Sequence, residues 1–264
     1  MSIDTVTTST TTNRWLWPTI TVVLAFLSVG TLVAAFVLNL GAEPADANPP
    51  LPSQSATVTP ATPTPSATTP TPTQNVPIAE LADPAWVKRI AAAGDIPERA
   101  MSAYAGAAIE LSRIKPNCGI GWNTLAAIGF VETEHGSLNG ATLNPDGTVT
   151  PPIIGIPLNG NGADPVPDTD DGQLDGDPTW DHAVGPMQFI PSTWEKTAQD
   201  GNRDGKKDIN QIDDAVLAAA IHLCEVGGNL TYSENWIAAI SAYNPSATYN
   251  NRVSDAATYY ATLT

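Results

Sequence analysis

The stretch LAAIGFVETEHG, residues 125–136, places one carboxylate where an apolar helix face would continue. Leu125, Ile128 and Glu132 are three and four residues apart, so in a helix they lie on one face. The apolar run predicts a helix over 122–134, closed by the final glycine of the stretch. The pattern therefore predicts a glutamate at the end of a buried helix, on the side that faces the core.

A carboxyl group among apolar neighbours resists ionisation, so the pKa of Glu132 is predicted to be raised. A glutamic acid that keeps its proton near neutral pH can act as a general acid toward a glycosidic oxygen. The alternative is an ordinary glutamate at a helix end, exposed or paired with another group. Helix periodicity alone favours that alternative.

Helix signals are strong elsewhere in the chain and strand signals are scarce, so the predicted fold class is mainly α. The predicted helix starts are Asp95-Ile96-Pro97, a capping box from Ser192 to Glu195, Asp213 or Asp214, Ser233, and Ser246.

Residues 137–185 break the helical pattern. They are rich in Gly, Pro and Asp, and the part between Asp164 and Asp181 is strongly acidic and has no base. So long an irregular insert within a compact domain is usually functional or disordered.

The N-terminal part of the chain divides into three segments. Residues 15–40 carry no charge and are long enough for a transmembrane helix, which needs about 20 residues. We interpret 1–14 as a cytoplasmic N-terminus and 15–40 as the anchor of a single-pass membrane protein with its domain outside the cell. The alternative is a cleaved signal peptide and a secreted protein. Residues 41–77 are Pro/Thr-rich and predict a disordered, semi-extended linker, which leaves 78–264 as the domain.

The net charge of −16 argues against nucleic acid as a partner, because phosphate binding requires a basic surface. The two cysteines, Cys118 and Cys224, both follow the predicted anchor. In an oxidising compartment they predict one disulfide, and two buried free thiols are the alternative.

The segment 200–215, DGNRDGKKDINQIDDA, resembles an EF-hand loop. Oxygen ligands stand at its positions 1, 3 and 5, a glycine at 6, and a backbone carbonyl at 7. Position 12 is Gln211, where the EF-hand has a glutamate. The hard oxygen ligands predict a structural Ca²⁺, and a polar turn is the alternative. The predicted ligands at positions 1, 3, 5 and 7 are Asp200, Asn202, Asp204 and Lys206.

Two further motifs carry amide and hydroxyl groups that suit sugar hydroxyls. GPMQFIPSTW, 185–194, contains Gln188, and AISAYNPS, 239–246, contains Tyr243 and Asn244. Each motif alone is more typical of a core or a helix cap.

Together with Glu132-Thr133, these motifs resemble the lytic murein transglycosylases, in particular the membrane-bound lytic transglycosylase B type. The resemblance covers about 120–262 and implies a lysozyme-like α fold with Glu132 as the only acid and base. It implies that Gln188, Tyr243 and Asn244 line the sugar subsites or orient Glu132, and that Asp214 closes the calcium loop. Within the acidic insert, Trp180 is our candidate for stacking on a sugar.

The resemblance implies cleavage of peptidoglycan between N-acetylmuramic acid and N-acetylglucosamine without water, which leaves a 1,6-anhydro-muramic acid end. One alternative is a lysozyme-type hydrolase, which would need a second carboxylate. The other is a non-catalytic scaffold that binds peptidoglycan. The predicted partners are glycan strands and the membrane.

Overall fold

The computed structural model describes residues 59–63, 75–161 and 164–263. These residues belong to a compact unit that spans Ser55–Thr264. The described part of the chain contains no helix that is both long and apolar enough to cross a membrane. The predicted N-terminus, the predicted anchor and most of the predicted linker lie outside the described residues.

Seven α-helices and four short strands follow one another along the described domain. A 3-10 helix at Ile78–Glu80 precedes α1, and a second one, Leu138–Gly140, precedes β1. The elements are α1 (Pro84–Gly94), α2 (Glu98–Ile114), α3 (Trp122–Thr133), β1 (Thr142–Leu143), β2 (Val149–Thr150), β3 (Ile154–Pro157), β4 (His182–Val184), α4 (Pro191–Thr197), α5 (Ile212–Gly227), α6 (Ser233–Tyr243) and α7 (Ala247–Ala261).

The core is built around α3 and α5. Every residue from 122 to 129 is buried, and so is every residue from 212 to 220. A helix that is apolar on all sides is stable only when protein surrounds it. α3 packs against α7, and α2 packs against α5. The mainly α prediction is confirmed, but the first turns of α3 are buried on every face and not on one face only.

The predicted start of α2 is wrong. Asp95 adopts the left-handed conformation, with φ of 53°, and ends α1, while α2 begins at Glu98. Aspartate tolerates left-handed φ better than most side chains do, so a residue expected at a helix start instead closes the preceding helix.

Two other cap predictions are wrong. α4 begins at Pro191, so Ser192 lies inside its first turn and forms no capping box. Proline is favoured in a first helical turn because its φ is already helical. The side chain of Gln211, and not Asp213 or Asp214, caps α5. Ser246 caps α7 through its hydroxyl, as predicted.

The 137–185 insert is more regular than its composition predicts. β1 pairs with β2, and β3 pairs with β4, both antiparallel. The fully buried carboxylate of Asp181 accepts hydrogen bonds from the backbone N–H and the hydroxyl of Thr169, at 2.8 and 2.7 Å. The insert therefore has an ordered polar centre of its own.

Cys118 and Cys224 form a disulfide with a Cα–Cα distance of 5.5 Å, as predicted. It joins the segment before α3 to the last turn of α5, across a sequence separation of 106 residues. Loops of this length lose roughly 4–5 kcal/mol of unfolded-state entropy on cross-linking in the chain-entropy model. The bond thus fixes the two central helices relative to each other.

Candidate active site

Glu132 is the last but one residue of α3 and is half-buried. Burial raises the pKa of its carboxyl to about 7, while a hydrogen bond from Tyr249 and the positive charge of Arg252 act in the opposite direction. The predicted rise is confirmed. A carboxyl with this pKa is populated in both protonation states near neutral pH.

Tyr249 holds the Glu132 carboxyl in place. Its hydroxyl donates a hydrogen bond to Oε1 of Glu132 at 2.7 Å from the first turn of α7. Burial, followed by the nearby Glu132 charge, raises the pKa of Tyr249 far above its ordinary value. Tyr249 is therefore a neutral donor at every physiological pH. Sequence analysis missed this residue because 117 positions separate it from Glu132.

Thr133 fixes the end of α3 against the 185–194 segment. Its buried hydroxyl donates to the carbonyl of Pro186 at 2.7 Å and accepts the N–H of Gly136 at 2.9 Å. The helix is closed by Glu134, with φ of 51°, and not by Gly136 as predicted. The residue after Glu132 thus sets the distance between the carboxylate and the neighbouring motif.

His135 supports the same helix end from beneath. Its ring lies between two phenols, with Nδ1 at 3.0 Å from the hydroxyl of Tyr104 and Nε2 at 3.3 Å from that of Tyr260. Burial lowers the pKa of His135 to about 4. The imidazole is therefore neutral, and its two ring nitrogens hydrogen-bond the two tyrosine hydroxyls on either side of it.

The 185–188 segment forms a tight loop. Val184 and Phe189 exchange backbone hydrogen bonds of 2.8 and 2.9 Å at its base. Gly185 has φ of 79°, and a Cβ atom at this position would collide with the carbonyl of Ile209. Only glycine fits, because both the backbone conformation and the close approach exclude a side chain.

Gln188 lies at the tip of this loop with φ of 48°. Its Nε2 donates to the carbonyls of Gly185 and Ile153, at 2.9 and 3.3 Å, which leaves Oε1 as the acceptor. Gln188 lines a small cavity of about 110 Å³ together with Tyr243 and His222.

Tyr243 packs against this loop. Its hydroxyl donates to the carbonyl of Met187 at 2.7 Å, and its ring packs against Phe189. Burial, followed by the charge of Glu132, raises the pKa of Tyr243 well above its ordinary value. Asn244 accepts the backbone N–H of Ser246 at 3.0 Å and shapes the turn into α7.

A cleft of about 730 Å³ opens beside Tyr243, between the acidic insert and the α6–α7 junction. The structure therefore brings three predicted residues, Gln188, Tyr243 and Asn244, to two adjoining cavities. Trp180 instead pairs with Pro167 inside the insert and is not among the residues that line either cavity. The cleft is lined by Leu158, Gly160, Asp164 and Val166 on the insert side, and by Ile190, Tyr243, Asn244, Pro245 and Ser246 opposite.

The 200–214 loop wraps around two carboxylates. Asp200 accepts the backbone N–H groups of Asp204 and Gly205, at 3.1 and 3.0 Å. Asp214 is buried and accepts three backbone N–H groups, including that of Asp208 at 2.8 Å. Burial raises the pKa of Asp214 to about 6, and the negative charge of Asp200 adds to this rise. A cation would offset both effects.

The other predicted ligands lie in the same loop. Asn202 accepts the backbone N–H of Asp204 at 3.1 Å, and the N–H of Lys206 donates to Asp204 at 2.8 Å. Within the described ranges, however, the three carboxylates whose oxygens lie within 4.8 Å of one another belong to Asp168, Asp170 and Asp181. The loop offers the predicted hard oxygen donors, and its carboxylates do not converge as closely as those of the insert.

Comparison with known families decides the class of enzyme. Residues 169–230 match the family model described as Transglycosylase SLT domain. The match indicates a peptidoglycan lytic transglycosylase. It covers the 185–194 motif, the 200–214 loop and α5, and it includes neither Glu132 nor Tyr243. No curated protein and no solved structure matches the chain significantly. The mainly helical domain is accordingly lysozyme-like, and peptidoglycan is the substrate class.

Proposed function

We propose that this transglycosylase cleaves peptidoglycan between N-acetylmuramic acid and N-acetylglucosamine, with Glu132 first as acid and then as base. The observation that carries the proposal is the position of Glu132. It is half-buried, has a pKa of about 7, and is held by Tyr249, which lies three residues after Ser246 at the wall of the 730 Å³ cleft. A group with this pKa can donate and later accept a proton at the same pH.

The reaction balances without water. Protonated Glu132 donates its proton to the glycosidic oxygen while the bond from this oxygen to the muramic acid anomeric carbon breaks. The N-acetyl carbonyl of the muramic acid stabilises the electron-poor carbon. The C6 hydroxyl of the same sugar then attacks that carbon, and the Glu132 carboxylate takes its proton. The products are a free 4-hydroxyl on N-acetylglucosamine and a 1,6-anhydro-muramic acid end.

Tyr243, Asn244 and the Oε1 acceptor of Gln188 supply hydrogen-bonding groups along the two adjoining cavities. Sugar hydroxyls and N-acetyl groups are both donors and acceptors, and amide and phenol side chains offer both kinds of group. We assign these residues to the sugar subsites. Trp180 remains a candidate for stacking outside the cleft.

We also propose that the protein is of the membrane-bound lytic transglycosylase B type, which the order of the motifs supports. We further propose that the domain lies outside the cell, carried by a single membrane helix at 15–40 and a linker at 41–77. That topology would bring the domain to its glycan substrate.

We predict that Tyr249→Phe moves the alkaline limit of activity to higher pH. The wild-type rate should fall as pH rises through about 7, because Glu132 must hold a proton to act as the acid. The Tyr249 hydrogen bond stabilises the ionised carboxylate, so its loss raises the pKa of Glu132, by about one unit for a bond to a charged group. The measurement is the pH dependence of kcat/KM on purified glycan strands.

Tyr259→Phe is the matched control for that variant. Tyr259 lies on the same helix, and its exposed hydroxyl contacts the carbonyl of Ala93 and not Glu132. The control should keep the wild-type pH profile. A Tyr249→Phe profile unchanged from wild type would contradict the assignment of Glu132 as the titrating acid.

We also propose that the 200–214 loop binds one structural Ca²⁺ through Asp200, Asn202, Asp204, Asp214 and the carbonyl of Lys206. Hard oxygen donors of this kind suit Ca²⁺. With the full chain, Ca²⁺ at 100 times Kd should raise the melting temperature by about 5–10 °C over an EDTA-treated sample.

Two variants locate the cation. Asp200→Asn should remove most of the Ca²⁺-dependent rise in melting temperature, and Asp170→Asn, in the insert's own carboxylate group, should leave it unchanged. The reverse pattern would place the ion in the insert, and a wild-type protein that gives no rise with Ca²⁺ would refute a calcium site in either place.

A further inference from the structure

Residues 59–63, Thr-Pro-Ala-Thr-Pro, belong to the predicted linker but lie against the domain. Pro63 is buried, and Ala61 packs on the core beside α2 and the segment before α3. The two threonines are exposed. The segment thus presents its small and proline residues to the domain and its hydroxyls to solvent.

One side chain of the domain, Asn123, hydrogen-bonds the backbone of this segment. The Oδ1 atom of Asn123 accepts the N–H of Ala61 at 2.9 Å, and its Nδ2 donates to the carbonyl of Thr59 at 3.2 Å. Asn123 is fully buried in the first turn of α3, and its second amide hydrogen goes to the carbonyl of Ala257 at 3.1 Å. The amide is therefore oriented in advance, with one donor and one acceptor aimed at an extended chain.

The approach of the segment depends on a glycine. A Cβ atom on Gly121 would lie 2.7 Å from the nitrogen of Ala61 and 2.9 Å from Cα of Pro60. Asn123 pairs with only one backbone N–H and one backbone C=O. This suits a proline-rich chain, because such a chain offers few N–H donors and is already extended. The alternation Pro-Ala-Thr-Pro leaves an N–H at the position that Asn123 requires.

We propose that α2, the segment before α3 and the start of α3 form a binding groove for an extended proline-threonine segment, occupied by residues 59–63 of the same chain. The contact between the linker and the domain then reaches back along the chain to residue 59 and does not begin at 77. The difference is about 60 Å of extended chain. The groove lies about 14 Å along α3 from Glu132, so it is distinct from the active site.

Hydrogen exchange on the full chain tests this contact directly. The backbone amide of Ala61 should exchange at least about 10-fold more slowly than the same amide in a free peptide of residues 57–65, and equally so when the protein is diluted. Exchange at the free-peptide rate would overturn the groove. Protection lost on dilution would overturn the assignment to the same chain.

A pair of proline variants tests the hydrogen bond. Ala61→Pro removes the N–H that Asn123 accepts and keeps the chain extended, so the melting temperature should fall by about 2–4 °C. Thr62→Pro adds the same ring at the next, exposed position and should leave it unchanged. Equal melting temperatures for the two variants would show that the Asn123–Ala61 contact does not hold the segment.

Discussion

Glu132→Gln is expected to lower the rate of peptidoglycan cleavage by at least about 10³-fold, because one carboxyl serves as both acid and base. Glutamine keeps the size of the side chain and can still accept the hydrogen bond from Tyr249. It cannot donate a proton to the glycosidic oxygen. The measurement is the release of soluble fragments from purified peptidoglycan, with binding to the insoluble material and the melting temperature recorded on the same samples.

Asp164→Asn is the matched control for Glu132→Gln. Asp164 lines the cleft. A hydrolytic mechanism needs a second carboxylate, and Asp164 is the candidate for it among the residues that line the cleft. Its amide should retain most of the wild-type rate. A Glu132→Gln protein that still releases fragments at the wild-type rate would refute the catalytic assignment, and a large loss in Asp164→Asn would favour a two-carboxylate mechanism.

Gly185→Ala is expected to abolish folding at physiological temperature or to lower the melting temperature by roughly 10 °C. The added Cβ collides with the carbonyl of Ile209, and the residue has φ of 79°. Left-handed backbone costs alanine about 1–2 kcal/mol, and overpacking against a fixed backbone adds about 1–3 kcal/mol. Circular dichroism melting of the full chain measures the combined effect.

Gly176→Ala separates the two causes. Gly176 has φ of 86°, but a Cβ there meets no atom within 4 Å. This variant should lose only the backbone contribution, a few degrees of melting temperature. If the two alanine variants melt at the same temperature, the close approach of Ile209 to the 185–188 loop does not matter for stability.

The sequence predicts the helices well where the signal is local and intense. The apolar run before Glu132 predicts α3 to within one residue of its observed bounds. The cap errors at Asp95 and Ser192 have one origin, because the same residue types serve at helix starts, helix ends and turns. Which role a residue takes depends on the direction in which the chain leaves the helix, and local sequence does not specify this direction.

The site residues divide in the same way. Glu132, Gln188 and Tyr243 stand in motifs, so sequence could find them. Tyr249 stands in no motif, and its contact with Glu132 spans 117 residues. Only the packing of α7 on α3 brings the two together.

The linker gives a third case. Composition alone predicts a free spacer over 41–77, since prolines and threonines cannot bury enough apolar surface to fold. The contacts of residues 59–63 depend on a receptor that is already folded, in which Asn123 and Gly121 are in place. A property of two distant segments together cannot be predicted from the composition of one.

Mass spectrometry of the soluble products from purified peptidoglycan tests the central claim most directly. Single-carboxylate transglycosylation by Glu132 predicts fragments that end in 1,6-anhydro-muramic acid, each lighter by one water than the reducing form. These fragments should be absent with Glu132→Gln. Fragments with ordinary reducing ends would contradict the proposed mechanism and indicate hydrolysis with a second carboxylate.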